Sequence, residues 1–333
     1  MAKSKTVIAV DASGGDYAPH EVVKGAVKAV QEYGVEVVLV GKKSVLHVLV
    51  GRELNKPGLT VVDADQVIES DEAPMKALKT KPNSSIMVGV NLLKEGKAAA
   101  FVSAGNTGAL FGAALLTLGR IKDIERPAIA CTINFTATPV LLIDAGANAD
   151  CRPNQLVHFA KMGSIYSRQV LGISSPRVGL LSNGAEDAKG NQLVLETNQL
   201  LRAGSHLNFV GNIEAQDVLK AAVDVVVTDG FTGNIMVKTI EGMSDNFLVA
   251  VRQIGRFFSS AYQHRGRDFL KDISMLKRMD YREYGGAIFL GVDGNIVKAH
   301  GRSRAHTIKN AIGLARQMVE HDILGTIKGE SYG

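Results

Sequence analysis

One pattern restricts the fold of this chain more than any other: a short run of Val, Ile, Leu and Ala that ends in a turn of Gly, Asp, Asn or Ser and leads into a helix-like stretch. It occurs at Thr6–Val10 before Asp11-Ala-Ser-Gly-Gly-Asp16, at Val35–Val40 before Gly41, and at Ala98–Val102 before Ser103-Ala-Gly-Asn-Thr-Gly108. It returns at Val140–Ile143 before Asp144-Ala-Gly-Ala-Asn148, at Val178–Leu181 before Ser182-Asn-Gly-Ala-Glu-Asp187, and at Val223–Thr228 before Asp229-Gly-Phe-Thr-Gly-Asn234. Runs that are apolar on successive residues are strands buried on both faces, the signature of a parallel sheet covered by helices on each side. The expected fold class is α/β, a mostly parallel sheet with helices on both faces.

The 333 residues hold one large or two ordinary domains at ~150 residues each. A hydrophobic share of 46% against 21% charged excludes disorder. No Gly/Ser-rich or Pro-rich linker divides the chain, so the expectation is a single two-lobed catalytic domain over residues 1–333, with its active cleft between the lobes. Two cysteines, Cys131 and Cys151, are too few for a disulfide framework or a four-thiolate zinc site, which favours a reducing cytosol. The start of the chain reads as neither signal peptide nor anchor. Ala98 to Gly119 is uncharged and long enough to span a bilayer, but its middle, Ser103 to Gly108, is a polar turn. Hydrocarbon would leave that turn's backbone unsatisfied, so the stretch reads as a buried strand, a turn and a buried helix.

Charge is unevenly placed. Between Arg252 and Arg282 stand eight Lys or Arg and three Asp, which equals the +5 formal excess of the whole chain. Within residues 244–282, Phe247, Val251, Ile254, Phe258 and Ala261 recur at helical spacing on one face, among Arg252, Arg256, Arg265, Arg267 and Lys271. This basic amphipathic segment suits packing on a core or a dimer partner, or contact with an acidic protein or anionic lipid. No nucleic acid is expected.

In open parallel sheets ligands bind beyond the carboxyl ends of the strands, where helix N-termini present free N–H groups. Asp11, Ser103, Asp144, Ser182 and Asp229 each follow a strand and line one such rim, with Gly, Asn and Thr turns suited to an oxyanion. The phosphate-binding pattern of nucleotide enzymes and the dinucleotide glycine fingerprint are both absent. The zinc-peptidase and serine-hydrolase motifs are absent too. Asp268 and Asp272 have the spacing of paired metal carboxylates but sit in the cationic segment, so no metal is expected. Cys151, with His158 or His300 as base, is a thiol-nucleophile candidate, although a lone Cys beside a loop is more often structural. Lys298 and His300 stand beside a Gly turn as an anion-binding or acid–base pair, and Lys189 and Lys238 are further candidates, although a lone lysine is more often a solvated one.

Taken together these turns resemble the bacterial acyl-(acyl carrier protein):phosphate acyltransferase family. The resemblance is carried by Ile8-Ala-Val-Asp-Ala-Ser-Gly-Gly-Asp-Tyr-Ala-Pro19, Lys81-Pro-Asn-Ser-Ser85, Ser103-Ala-Gly-Asn-Thr-Gly-Ala109 and Leu142-Ile-Asp-Ala-Gly-Ala-Asn148. It continues through Lys189-Gly-Asn191, Phe209-Val-Gly-Asn-Ile-Glu214, Asp229-Gly-Phe-Thr-Gly-Asn234 and Val297-Lys-Ala-His-Gly301, in the family's order. Ser13, the stretch Ser182-Asn-Gly-Ala-Glu186 and Arg302-Ser-Arg304 depart from the family's usual residues. The last of these adds positive charge beside His300.

The resemblance implies a fold like that of the isocitrate/isopropylmalate dehydrogenases, with the general layout of phosphate acetyltransferases. It implies attack of inorganic phosphate on the thioester of a fatty acyl carrier protein, giving acyl phosphate for phospholipid synthesis. It also implies a homodimer, cytoplasmic and peripherally membrane-associated, that passes its product to an integral-membrane glycerol-3-phosphate acyltransferase, with no cofactor. The candidate catalytic residues are His300, Lys189, Asn234 and Asp229. The candidate substrate-binding residues are Asp11, Gly14, Gly15, Asp16, Ser103, Asn106, Thr107, Asp144, Asn148, Thr232, Lys238 and Lys298. Phosphate is already anionic and nucleophilic near neutral pH, so orientation and charge compensation matter more than a strong base. A coenzyme A-dependent phosphate acyltransferase, a dehydrogenase on the same fold and a non-catalytic carrier-protein scaffold are the alternatives.

Overall fold

The structure, a computed structural model, describes residues 5–51, 57–204, 206–261, 285–330 and 332. In chain order its elements are β1 (Val7–Asp11), α1 (His20–Tyr33), β2 (Glu36–Gly41), α2 (Lys43–Val50), β3 (Leu59–Asp63), α3 (Pro74–Thr80), α4 (Ser85–Lys94), β4 (Ala100–Ser103), α5 (Thr107–Thr117) and β5 (Ala128–Ile133). There follow β6 (Val140–Ile143), α6 (Pro153–Gln169), β7 (Arg177–Leu181), α7 (Gln192–Gly204), β8 (Asn208–Ile213), α8 (Ala215–Leu219), β9 (Val225–Val227) and α9 (Gly230–Ala261). The chain closes with β10 (Ala287–Leu290), β11 (Asn295–Lys298), α10 (Ala305–Glu320) and α11 (Ile323–Gly329).

Contacts divide the chain into two compact units, one of residues 1–131, 165–172 and 284–333, the other of 132–164 and 173–283. In the first unit the strands run in the order β3-β2-β1-β4-β11-β10-β5. All neighbours are parallel except β10, which the hairpin turn after Leu290 reverses against both β11 and β5. The second unit carries β6-β9-β7-β8, parallel throughout. The expected strands are all present, and the mostly parallel α/β class holds in each unit.

The apolar runs became strands because both faces are covered: Ile8, Ala9 and Val10 of β1 and Leu141, Leu142 and Ile143 of β6 are almost wholly buried. In the first unit α1 lies close against α10, where Gly25 leaves room that a Cβ would fill, 2.7 Å from Cβ of Ile308. The same helix caps its neighbour, since Glu21 Oε2 accepts the Ala305 N–H at 3.0 Å. That bond, followed by the one from Lys24, holds the Glu21 carboxyl below the usual carboxylate range, as expected for an anion at a helix start.

The uncharged stretch 98–119 is the expected strand, turn and helix, β4 followed by α5. Among the described residues no helix is long and apolar enough to cross a membrane. The helix that carries residues 244–261 of the amphipathic segment begins earlier, at Gly230: α9 runs unbroken from there to Ala261. The sequence signal was masked because the helix opens on the polar turn that follows β9. The side chains of Val251, Arg252, Ile254, Arg256, Phe258 and Ala261 lie outside what is described. So do Arg265, Arg267, Asp268, Lys271 and Asp272.

Candidate active site

Parallel pairing sets the geometry of the rim in each unit. In the first, β1, β4 and β11 run the same way, with Ser103 opposite Lys298 and Val10 opposite Val102. Asp11, Ser103 and Lys298 therefore leave the sheet at one edge. Asp11 is 1% exposed, and its Oδ1 accepts the backbone N–H groups of Ser13 and Gly14, both at 3.0 Å. Its Oδ2 accepts the Ser103 hydroxyl at 2.6 Å, and Ser103 Oγ in turn accepts the Gly105 N–H at 3.0 Å. The carboxylate thus folds the β1 turn back on itself and ties it to the β4 turn. Gly14 is required there, because a Cβ would stand 2.3 Å from Asp11 Oδ2 and 2.7 Å from the Gly105 nitrogen.

Around this pair the chain brings in the end of β11. Ala299 donates its N–H to Ser103 O at 2.9 Å, and Asp16 donates its own to Gly301 O at 2.8 Å. Gly15, with φ of +105°, carries the backbone through a conformation that other residues rarely adopt. The structure therefore places Asp11, Gly14, Gly15, Asp16, Ser103, Lys298 and His300 together. Lys298 turns its ammonium onto Ala299 O. His300 Nδ1 accepts the Arg302 N–H at 3.1 Å, and Arg304 stacks its guanidinium 4.5 Å from the Tyr17 ring centre.

Asn106 and Thr107 open α5. Asn106 Oδ1 accepts the Ala109 N–H at 3.0 Å, the expected helix cap. Its Nδ2 donates to the carbonyls of Glu69, Ser70 and Glu72 at 3.1, 3.2 and 3.2 Å. Lys81 grips the same loop through Val67 O at 2.7 Å and through the Glu72 carboxylate. The Asn106 amide therefore fastens the 65–72 loop to the start of α5, while Thr107 stands exposed beside it.

The second unit repeats the arrangement with different chemistry. Asp144 is fully buried. Its Oδ1 accepts the N–H groups of Gly146 and Ala147 at 3.0 and 2.9 Å. Its Oδ2 accepts both the backbone N–H and the side-chain Nδ2 of Asn148, each at 2.8 Å. Asn148 O then accepts the Gly230 N–H at 2.7 Å, which joins this turn to the first residue of α9. Gly233 makes that approach possible, since a Cβ there would lie 1.9 Å from Asp144 O. Asp229 caps α9, accepting the Thr232 N–H and its hydroxyl, both at 2.8 Å. Asn234 is exposed and lies against the 144–148 turn, 3.4 Å from where a Cβ on Gly146 would stand.

Asp144, Asn148, Asp229, Thr232 and Asn234 are thus brought together. Lys238 follows Asn234 by one turn of α9, about 6 Å at 1.5 Å per residue, and is paired with Glu241 at 2.6 Å. Lys189 is exposed on the β7 side of the same edge, in a loop anchored by Asn212, whose Nδ2 donates to Glu186 O at 2.9 Å and Lys189 O at 3.3 Å.

Cys151 is half-buried and its Sγ reaches Asn148 O at 3.6 Å. Burial, with Asp144, Asp229 and Asp150 nearby, pushes its thiol up to about 12. A thiol held protonated in this way is a poor nucleophile, so the structure argues against the Cys151 candidate. Among the described residues no group of three or more His, Cys, Asp or Glu is placed to hold a metal ion. The sequence reading did not single out Gly233, Gly301 or the Arg302 amide, whose parts depend on backbone approach rather than on side-chain type.

Comparisons with known proteins show the family and the fold. Residues 6–325 match the family model described as fatty acid synthesis protein. A phosphate acyltransferase of Dehalococcoides mccartyi is 53% identical over 321 residues, 95% of this chain and 92% of that one. One of Desulforudis audaxviator is 47% identical over 324 residues, 97% and 95% of the two chains. Among solved structures, a phosphotransacetylase from Streptococcus pyogenes superposes with a TM-score of 0.64 at 18% identity, covering 95% of this chain and 94% of its own. A branched-chain phosphotransacylase from Enterococcus faecalis gives 0.59 at 14% identity, covering 95% and 99%. These two likenesses establish the fold.

Proposed function

This chain belongs to the phosphate acyltransferase family, and from that premise we propose that it moves a fatty acyl group from the thioester of acyl carrier protein to inorganic phosphate. A phosphate oxygen adds to the thioester carbonyl carbon, the tetrahedral oxyanion collapses, and the C–S bond breaks. The proton first carried by hydrogen phosphate ends on the departing thiol, so the products are acyl phosphate and the free carrier.

The observation that carries this reading is the state of the two buried rim carboxylates. An Asp facing a phosphate would repel it. Asp11, however, accepts two N–H groups of its own turn and the Ser103 hydroxyl, and Asp144 accepts four donors from residues 146–148. What remains toward solvent is a set of Gly turns, hydroxyls and amides suited to an anion. His300, Asn234, Asp229 and Lys189 are the proposed catalytic set. Gly14, Gly15, Asp16, Ser103, Thr107, Asn148, Thr232 and Lys298 line the proposed substrate rims, with Asn106 and Lys238 more distant in role.

Segment 252–282 is the proposed contact for the acidic carrier or an anionic membrane surface. Exposed Phe231, Ile235, Met243 and Phe247 on α9 support self-association as a homodimer. A membrane-bound glycerol-3-phosphate acyltransferase is the proposed recipient of the product.

The test is a single incubation of pure protein with phosphate and either acyl-(acyl carrier protein) or acyl-coenzyme A, product being trapped with hydroxylamine. Hydroxamate from the carrier-linked donor is expected, and His300→Ala and Asn234→Ala should each lower its rate ~10²-fold with unchanged melting. Product from acyl-coenzyme A alone would favour the coenzyme-dependent reading, and no product from either donor would refute the proposal.

A further inference from the structure

The histidine at the first unit's rim is held in one protonation form by its own turn. His300 Nδ1 accepts the Arg302 N–H at 3.1 Å, and a ring nitrogen that accepts a hydrogen bond carries no proton. The single proton of the neutral imidazole then lies on Nε2, the ring atom remote from the backbone. The turn itself is fixed on both sides: Ser303 donates its N–H to His300 O at 2.9 Å, Ala299 donates to Ser103 O at 2.9 Å, and Asp16 donates to Gly301 O at 2.8 Å. Lys298, Arg302 and Arg304 are the cationic residues of this short stretch. Asp16 opposes them, its Oδ1 lying 3.4 Å from where a Cβ on Gly301 would stand. Glu21 is committed to the start of α10.

We propose that His300 serves acyl transfer as a neutral hydrogen-bond donor. Its Nε2–H stabilises the oxygen that gains charge as phosphate adds to the thioester, and the ring neither removes a proton from phosphate nor pairs with it as a cation. The inference rests on the acyl-transfer reading above. It fits the proton balance of that reaction, in which the nucleophile itself brings the proton that the thiol takes up. A fixed donor of this kind strengthens as charge develops and needs no reorganisation during the step.

Two measurements on the full-length protein test it. The first is a two-bond proton–nitrogen correlation spectrum of the nitrogen-15-labelled protein at pH 7, with His300→Gln identifying the signals of this residue. The pattern of the neutral Nε2–H form is expected; that of the Nδ1–H form or of imidazolium would overturn the proposal.

The second compares two variants that separate donating from turn-holding. His300→Gln keeps an amide N–H near the reach of Nε2 but places no acceptor at Nδ1. His300→Asn places Oδ1 where Nδ1 stands, and so keeps the Arg302 turn, but reaches no further. Turnover within ~10-fold of the parent for Gln and ~10²–10³-fold below it for Asn is expected, with melting temperatures showing both folded. Asn equal to or better than Gln would assign His300 to holding the turn and overturn the proposal. A parent protein that makes no acyl phosphate would instead refute the functional reading, a failure told apart by its leaving the tautomer signal in place.

Discussion

The turn after β1 and the turn after β6 solve one problem in two ways. Each begins with a buried Asp at a strand end, and each must bring a Gly-rich loop close to the next strand's turn. In the first unit Asp11 receives two N–H groups from its own loop and a third donor, the Ser103 hydroxyl, from the neighbouring strand. In the second, Asp144 receives all four of the donors described above from residues 146–148, and the link to the neighbour passes through Asn148 O and Gly230. By these bonds the carboxylate is a cross-strand tie in one unit and gathers the donors of its own turn in the other. Its loss should therefore cost differently in each.

Asp144→Ala should be the most damaging change. Buried donors left without partners cost ~1–3 kcal/mol each, so four of them should lower stability by about 4 kcal/mol even after water recovers part. Asp11→Ala should cost about 2 kcal/mol, because the Ser103 hydroxyl can rotate to another acceptor. Urea unfolding of both variants checks this, and an equal or larger loss at Asp11 would break the comparison.

Gly233→Ala and Gly14→Ala come next, at ~1–3 kcal/mol or somewhat more. The effect should be greater at Gly233, where the new carbon would stand 1.9 Å from the Asp144 carbonyl oxygen, than at Gly14, where it would stand 2.3 Å from a carboxylate oxygen and 2.7 Å from the Gly105 nitrogen. Thermal melting of the two proteins ranks them.

Acid sharpens the contrast further. In the second unit burial pushes the Asp224 carboxyl up, but the side-chain and backbone donors of Arg177 outweigh it and hold Asp224 below its ordinary range. Bonds at 2.8 to 3.0 Å carry that effect. In the first unit the Ala305 N–H does the same for Glu21. A carboxyl with a lowered folded pKa contributes stability that is present above its unfolded value, about pH 4. That stability is lost as pH falls through the folded value. Asp224 is 5% exposed and Glu21 22%, so solvent screens Glu21 more. Asp224→Asn should flatten the acid limb of the stability curve more than Glu21→Gln does, and the reverse order would contradict this. The smallest expected effects are Ser103→Ala and Asn148→Ala, about 1 kcal/mol each, read from the same unfolding curves.

The sequence displayed the strands that are buried on both faces, because only those leave uninterrupted apolar runs. It hid β3 and β8, which lie at sheet edges and mix exposed with buried residues. It also hid β5 and β10, each of which leads into another strand and not into the turn and helix of the recurring pattern, together with the short β11. At the rim, the Asp and Gly positions of both turns were legible as residue types, and Asp followed by Gly two or three residues later is a known turn signature. What could not be read was direction. Whether Asp11 faces its own N–H groups or a ligand depends on backbone angles that composition does not set. The same holds for Asn106, whose amide serves the 65–72 loop, and for Lys238, carried away from Asp229 by the rise of α9.

The reaction itself is tested most directly by following labelled phosphate. Pure protein given acyl-(acyl carrier protein) and [³²P]phosphate should release carrier thiol and form labelled acyl phosphate in equal amounts. Thiol released without incorporation of label would show hydrolysis in place of transfer and contradict the central claim.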